Sequence, residues 1–290
     1  MTKIKNILIC GLGGVGSVYA SKICQHKQFD LKILVDNTRK ENYSKTPTII
    51  NDVEYNFEYI TPESESKFVD LIIITTKFTA IDEVIKNIKN FIGEKTIIMS
   101  LMNGISSEDI IQKAYPETEI VKSYLICNSI IRSGRKIFHD NVNKIVISKN
   151  KDIEEFFKDT NINYEISDDL QTAMWKKYML NVTANQLSAV TKMTFGEMNS
   201  INNIDSILKH ILDEVVAIAK LEGVNDPEQL AKQTINTFRN MAPYGKTSML
   251  QDIENNRPSE IEALAGTIIK LGKKYNVKTP YNDLFYYLLG

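Results

Sequence analysis

The run ILICGLGGVG, residues 7–16, constrains this chain more than any other stretch. A short apolar segment stops at Cys10, and glycines follow at positions 11, 13 and 16. The three serve a tight turn, close approach of the backbone to a ligand, and close packing of a helix on a strand. The spacing therefore predicts strand, turn and helix in that order, with the unpaired N–H groups of the helix N-terminus offered to an anion. Gly11, Leu12, Gly13, Gly14, Val15 and Gly16 are the candidate contacts for a pyrophosphate. Asp36 ends the next strand-like run, LKILVD at 31–36, 20 residues after Gly16. A carboxylate there would accept hydrogen bonds from the ribose of a dinucleotide. A glycine turn without a ligand accounts for the glycines alone; the glycines together with Asp36 point to a dinucleotide. The choice between NADH and NADPH stays open, because Asp36 would repel a 2′-phosphate whereas Arg39 and Lys40 could hold one.

The segments that follow extend the pattern. VDLIIITT at 69–76 and TIIMSLMNG at 96–104 read as buried strands, and TAIDEVIKNIKNFIG at 79–93 as a helix terminated by Gly93. Alternation of this kind predicts a doubly wound parallel sheet. From 120 to 148 the texture changes: TEIVKSYLICNSII and NKIVIS read as strands, with SGRK as a turn, and INYEIS at 162–167 as a strand that could close the sheet. Beyond 168 the pattern is helical, over 174–185, 201–222, 227–241 and 258–275. The expected architecture is α/β: a Rossmann-type dinucleotide-binding domain over 1–167 and an all-helical substrate and catalytic domain over 168–290.

Composition excludes several functions. Lys plus Arg total 35 against 36 for Asp plus Glu, so the chain lacks the basic field that nucleic acid or an anionic membrane surface would require. Apolar runs such as Leu71–Ile74 are too short to span a bilayer. Lys3 and Lys5 ahead of ILIC imitate a signal peptide, but the glycine density argues against one. Cys10, Cys24 and Cys127 show no CxxC spacing, and His26, His139 and His210 are scattered. Neither a disulfide framework nor a metal site is expected, and a cytoplasmic location is.

Several polar residues fit this scheme only if they have work to do. Lys77 and Asn103 fall at the carboxyl ends of two predicted strands, the rim where open α/β sheets bind ligands. Plainer accounts are a lysine opening a helix and an asparagine in a turn before Gly104. In MWKKYMLNVTAN, residues 174–185, a helix would set Lys177, Asn181 and Asn185 in one stripe, about 40° apart per step and flanked by apolar residues. Lys176 and Thr183 make the better solvent face. Near the C-terminus, TSMLQDIENNRPSEIEAL places Ser248 and Glu260 on either side of a loop. A helix cap and a first-turn carboxylate would account for them equally well.

Together, GLGGVG, TTKFTA, LMNG, WKKYMLNVTAN and TSMLQDIENNRPSEIEAL resemble the ketopantoate reductase (2-dehydropantoate 2-reductase) family, with matches from residue 11 to residue 260. The resemblance implies reduction of 2-dehydropantoate to (R)-pantoate by NADPH, in the route to pantothenate and coenzyme A. It makes Lys177 the general acid and Glu260 its catalytic partner, and it gives Asn103, Asn181, Asn185 and Ser248 to the substrate. Lys77 and Asn103 would approach the cofactor, and a homodimer is implied. The chemistry suits these residues: hydride addition to a ketone builds negative charge on oxygen, which a nearby lysine can neutralise and protonate. In a site partly shielded from water, that lysine is expected to hold its proton less tightly.

Two features depart from the family pattern. Asp36 stands where members carry a basic residue, and SYLICNSII lacks the expected small residues. Asp36 suits an NAD-dependent D-2-hydroxyacid dehydrogenase of the same fold, acting on acids such as mandelate. A non-catalytic dinucleotide-binding redox sensor is the alternative of another class; it would need only the glycine turn and the ribose contact.

Overall fold

The computed structural model describes residues 3–65, 67–127, 130–140 and 143–290. Its first strand, β1 (Asn6–Cys10), shows why the N-terminal part folds as it does. Ile7 and Ile9 enter one apolar cluster while Leu8 and Cys10 enter another. Side chains alternate across a strand, so a continuous apolar run buries both of its faces. Full burial contributes roughly 1.5–3 kcal/mol for each Leu or Ile. Such a strand is stable only inside a sheet covered on both sides.

The chain then runs through α1 (Gly14–Cys24), β2 (Asp30–Leu34), α2 (Asn37–Lys45), β3 (Thr48–Ile50), β4 (Val53–Tyr55), β5 (Glu58–Ile60) and β6 (Val69–Ile74). It continues with α3 (Ile81–Ile88), β7 (Ile92–Ser100), α4 (Ser107–Ala114), β8 (Glu119–Val121), β9 (Ser123–Ile126), β10 (Ile130–Ser133), β11 (Lys136–His139), β12 (Lys144–Ile147), α5 (Lys151–Asp159) and β13 (Tyr164–Ile166). Six strands form a sheet in the order β5-β2-β1-β6-β7-β8, with every pair parallel. This is the doubly wound Rossmann-type arrangement, and β1 and β6 end side by side at its centre. Leu71 and Ile73 of β6 join the cluster of Ile7 and Ile9, while Ile72 and Ile74 join the opposite one.

Two local expectations are corrected, and the SGRK turn is found where it was expected. INYEIS does not close the main sheet: β13 pairs with β12, and β12 with β9, in a separate three-stranded sheet. The SGRK turn joins β10 to β11, whose four-stranded sheet also includes β3 and β4. Asn128 and Ser129 of SYLICNSII lie outside the described residues. Gly93 does not terminate a helix, since α3 ends at Ile88 and Gly93 is already in β7. A Cβ at Gly93 would lie 2.9 Å from Phe68 Cβ, so close packing accounts for that glycine.

The remaining elements are helical: α6 (Leu170–Leu180), α7 (Gln186–Thr191), α8 (Phe195–Asn199), α9 (Ile204–Leu221), α10 (Pro227–Arg239), α11 (Ser248–Glu254), α12 (Thr267–Tyr275) and α13 (Pro280–Leu289). Two π turns, Asn181–Asn185 and Glu262–Gly266, lead into α7 and α12. The helical stretch expected from 258 therefore begins later. These helices share one core that includes Trp175, Tyr178, Met179, Leu208, Ile211, Phe238 and Leu264. The chain divides into two compact units, residues 1–102 with 107–170, and residues 103–106 with 171–290. The short Asn103–Ser106 segment thus groups with the helical unit although it follows β7 in sequence.

Glu108 in the first turn of α4 is 4 % exposed and accepts a hydrogen bond from Ser107 Oγ at 2.8 Å. Burial pushes its carboxyl pKa up, against the lowering effect of that bond. A raised folded-state pKa means the protonated form suits the fold, so stability is lost as pH rises from the ordinary glutamate range through the folded value. Glu108→Gln is therefore expected to unfold at higher urea than the parent at pH 8 and at nearly the same urea at pH 4. A constant difference between the two pH values would refute the assignment.

Candidate active site

At the glycine turn the three positions do different things. Gly11 has φ +97°, and a Cβ there would lie 2.7 Å from Thr76 Cγ2 and 2.9 Å from Thr76 N. A Cβ on Gly16 would stand 2.0 Å from Gly11 O and 2.5 Å from Thr75 Oγ1, so α1 rests directly on the turn. Gly13 is open: a Cβ there would meet only Arg132 Nη1, at 4.0 Å. The turn is pinned by Thr75, whose Oγ1 donates to Gly11 O at 2.6 Å. Leu12 is 7 % exposed, and both it and Val15 pack into the core, leaving their backbone to face a ligand. Open approach at Gly13, a helix N-terminus without acidic residues in its first turn, and a guanidinium nearby all fit a dinucleotide pyrophosphate.

Asp36 caps α2, accepting from Arg39 N at 2.6 Å through Oδ1. Its Oδ2 lies 3.1 Å from Arg39 Nη1. Lys77 directly follows the Thr75–Thr76 pair and opens the short 3-10 turn Phe78–Ala80. It is partly buried at the carboxyl end of β6, beside that of β1.

In the helical unit, three of the residues singled out in the sequence form a hydrogen-bonded chain. Lys177 Nζ donates to Asn103 Oδ1 at 3.0 Å, and Asn103 Nδ2 donates to Glu260 Oε2 at 2.9 Å. All three are partly buried. The primary amide can do what an ionised carboxylate could not, accepting from the cation with its oxygen while donating to the anion with its nitrogen.

Asn181 opens the π turn and Asn185 closes it; both are partly buried, while Val182, Thr183 and Ala184 between them are buried. The stripe thus keeps one face of partial exposure from Lys177 to Asn185. Thr183 was expected at the solvent face and is instead fully buried, its Oγ1 donating to Met179 O at 2.7 Å. That bond to the preceding turn lets a threonine sit inside a core. Ser248 is exposed at the start of α11, and the cap is Thr247, whose Oγ1 accepts from Leu250 N at 3.1 Å. Ser248 is therefore not the helix cap, and it lies outside the Lys177–Asn103–Glu260 chain.

Sequence reasoning passed over Thr75, Arg132 and the buried Tyr178. A hydroxyl at the end of a buried strand was a legible signal for Thr75. Arg132 and Tyr178 gave none, because their roles come from the packing of distant segments.

A parallel sheet with a glycine turn at its central carboxyl edge, together with a helical unit holding a lysine–amide–carboxylate chain, defines a class: a Rossmann-type nucleotide-binding protein with a helical second unit. Comparison with known proteins narrows it. Residues 7–152 match the family described as Ketopantoate reductase PanE/ApbA, and residues 169–290 match Ketopantoate reductase PanE/ApbA C terminal. The chain belongs to the ketopantoate reductase family, and with it to the NAD(P)-dependent oxidoreductases. A 2-dehydropantoate 2-reductase of Lactococcus lactis is 28 % identical over 96 % of this chain and 94 % of its own length. The fold is similar to D-mandelate dehydrogenase solved with NADH and anilino(oxo)acetate, with TM-score 0.86 and 23 % identity over 98 % of this chain and 97 % of that one. It is also similar to a dimeric ketopantoate reductase from Staphylococcus aureus, with TM-score 0.79 and 23 % identity over the same shares. No helix among the described residues is long and apolar enough to cross a membrane.

The glycines separate folding from cofactor binding. Gly13→Ala is expected to leave the thermal midpoint almost unchanged and to weaken NADH or NADPH binding about tenfold, or 1.4 kcal/mol. Gly16→Ala should instead destabilise the fold by roughly 1–3 kcal/mol, because the added methyl overlaps Gly11 O. Calorimetry and cofactor fluorescence titration on both variants check this, and equal effects of the two changes would contradict it.

Proposed function

We propose that this chain is a cytoplasmic reductase of 2-dehydropantoate, forming (R)-pantoate with a nicotinamide cofactor. The observation that carries the proposal is the chain Lys177–Asn103–Glu260. When bound at the glycine turn, the cofactor supplies hydride. The protein's part is the other half of the reaction. As the ketone oxygen gains charge, the Lys177 ammonium offers a proton and an opposite charge. Asn103 accepts one ammonium hydrogen and orients the group. Glu260 balances the lysine through a neutral amide rather than a direct ion pair, so the proton is oriented without being locked away. Asn181, Asn185 and Ser248 provide uncharged hydrogen bonds that orient a 2-oxo acid without repelling its carboxylate. Lys77 is assigned to the cofactor's nicotinamide end.

A second reading is favoured by one observation. Arg39, the residue suited to a 2′-phosphate, is engaged with Asp36 in an ion pair. The pair is exposed and contributes only about 0–1 kcal/mol, so it biases recognition more than stability. An NAD-dependent dehydrogenase of bulkier D-2-hydroxy acids accommodates that arrangement, and the similar D-mandelate dehydrogenase was solved with NADH. The redox sensor would bind cofactor without turning over any 2-oxo acid.

Initial rates with 2-dehydropantoate and with phenylglyoxylate, each with NADPH and NADH, distinguish these readings. Fast reduction of 2-dehydropantoate supports the first, preference for phenylglyoxylate with NADH the second, and no turnover by cofactor-binding protein the third. In the same assay Asp36→Ala is expected to shift the cofactor ratio toward NADPH; an unchanged ratio removes Asp36 from the specificity argument. Lys177→Ala is expected to lower kcat by about 10²–10⁴ with cofactor affinity intact, the range for loss of a general acid. Retained kcat would sink that assignment. We assign a homodimer as well, in line with the dimeric relative; a single-chain mass in sedimentation would remove it.

A further inference from the structure

Two π turns, packed against each other, border the proposed substrate wall. One carries Asn181 and Asn185, and the other begins two residues after Glu260. A π turn inserts a residue into the regular helical bonding pattern, and such turns recur at functional sites because they aim side chains that an α-helix would not. In this protein each turn has a carbonyl held by a buried side chain.

In the first turn, the Gln186 backbone N–H is directed to Thr183 O, whereas an α-helix would direct it to Val182 O. The Val182 carbonyl receives the Gln186 side-chain amide instead, at 2.6 Å. The second hydrogen of that amide goes to Asn282 Oδ1 at 3.2 Å. Asn282 Nδ2 in turn donates to Glu214 Oε2 at 2.7 Å. Glu214 also accepts from Tyr281 N and Asn282 N at the start of α13. Gln186 and Asn282 are both 0 % exposed. Gln186 Oε1 finds no hydrogen-bond donor among the described residues. A buried amide that leaves its oxygen unmatched is costly, and the two donations it makes are what the arrangement gains.

In the second turn, Leu264 O accepts from Tyr178 Oη at 2.7 Å. Tyr178 is 1 % exposed and adjacent to Lys177. Burial pushes its phenol pKa well above the usual range, so it stays a donor.

We infer that Gln186 and Tyr178 are positioning residues for the reduction: they hold the two π turns, and through them Asn181, Asn185 and Glu260, in the geometry the substrate meets. The inference rests on the active-site reading given under Proposed function. It assigns Gln186 to the asparagines and Tyr178 to the glutamate.

Double-mutant cycles on the full-length protein test it. Asn181→Ala, Gln186→Leu and their combination are assayed with the better of 2-dehydropantoate and phenylglyoxylate, alongside cofactor affinity and thermal midpoint. Gln186→Leu is expected to lower kcat about tenfold or more with cofactor affinity within about twofold. Added to Asn181→Ala it should cause little further loss, because both act through one contact. Multiplying losses, or unchanged kcat in folded Gln186→Leu, would overturn the inference. Tyr178→Phe with Glu260→Ala forms a parallel cycle that removes a single oxygen, and it decides the matter if Gln186→Leu does not fold. Unchanged kcat in both Asn181→Ala and Glu260→Ala, or no turnover by the parent with either acid, would show that the active-site reading itself had failed, taking this inference with it.

Discussion

A single amide, that of Asn103, stands between the ammonium of Lys177 and the carboxylate of Glu260, and the helical unit holds the segment that carries it. The segment that carries it needs a backbone few residues adopt. Gly104 has φ +107°, and a Cβ there would lie 3.3 Å from Ala263 O, inside the second π turn. Two residues on, Ser106 Oγ lies 3.3 Å from Thr267 Oγ1 at the start of α12. The four residues Asn103–Ser106 are thereby fixed against the second π turn and the start of α12. A direct lysine–glutamate pair would tie the proton to one partner. An intervening amide keeps the two charges coupled without direct contact between them.

The same preference for neutral mediators runs through the helical core. Glu214 is buried, which raises its pKa, and its partners are amides rather than a cation: two backbone N–H groups at the start of α13 and the side chain of Asn282. The positive end of a helix dipole is a fixed partner that needs no flexible side chain to be ordered. From Glu214 the hydrogen bonds continue through Asn282 and Gln186 to Val182 O. A turn on the polar wall is thus connected to a helix terminus through atoms that never reach solvent. A buried network of this kind favours one conformation over its neighbours, because breaking any of its bonds strands further polar atoms beyond Gln186 Oε1.

Much of the first unit was legible because its signals are local. The alternation of Ile7, Leu8, Ile9 and Cys10 between two apolar faces, and the glycines that follow, depend on residues adjacent in sequence. The assignment of INYEIS to the main sheet failed for the opposite reason. Which strand a segment pairs with depends on partners far along the chain, and a three-residue strand has too little pattern to specify them. Gly93 misled in the same way, since its neighbour Phe68 is distant in sequence. On the polar wall, Lys177, Asn181 and Asn185 were visible through helical spacing. Thr183 was misplaced because a hydroxyl that bonds back to its own helix can be buried at little cost, and spacing alone does not reveal that bond.

By itself, then, the sequence determined a parallel dinucleotide-binding sheet followed by helices, and a set of polar residues too many for a plain core. Periodicity and glycine spacing encode such features within a few turns of chain. The tertiary structure alone decided that Asn103 joins Lys177 to Glu260, that Thr75 pins the glycine turn, and that π turns interrupt the helices bearing the asparagines and the helical stretch after the glutamate. Those outcomes depend on hydrogen bonds between residues as far apart as 103 and 260. Buried polar atoms must find partners wherever the fold brings them, and that requirement is met in space rather than along the chain.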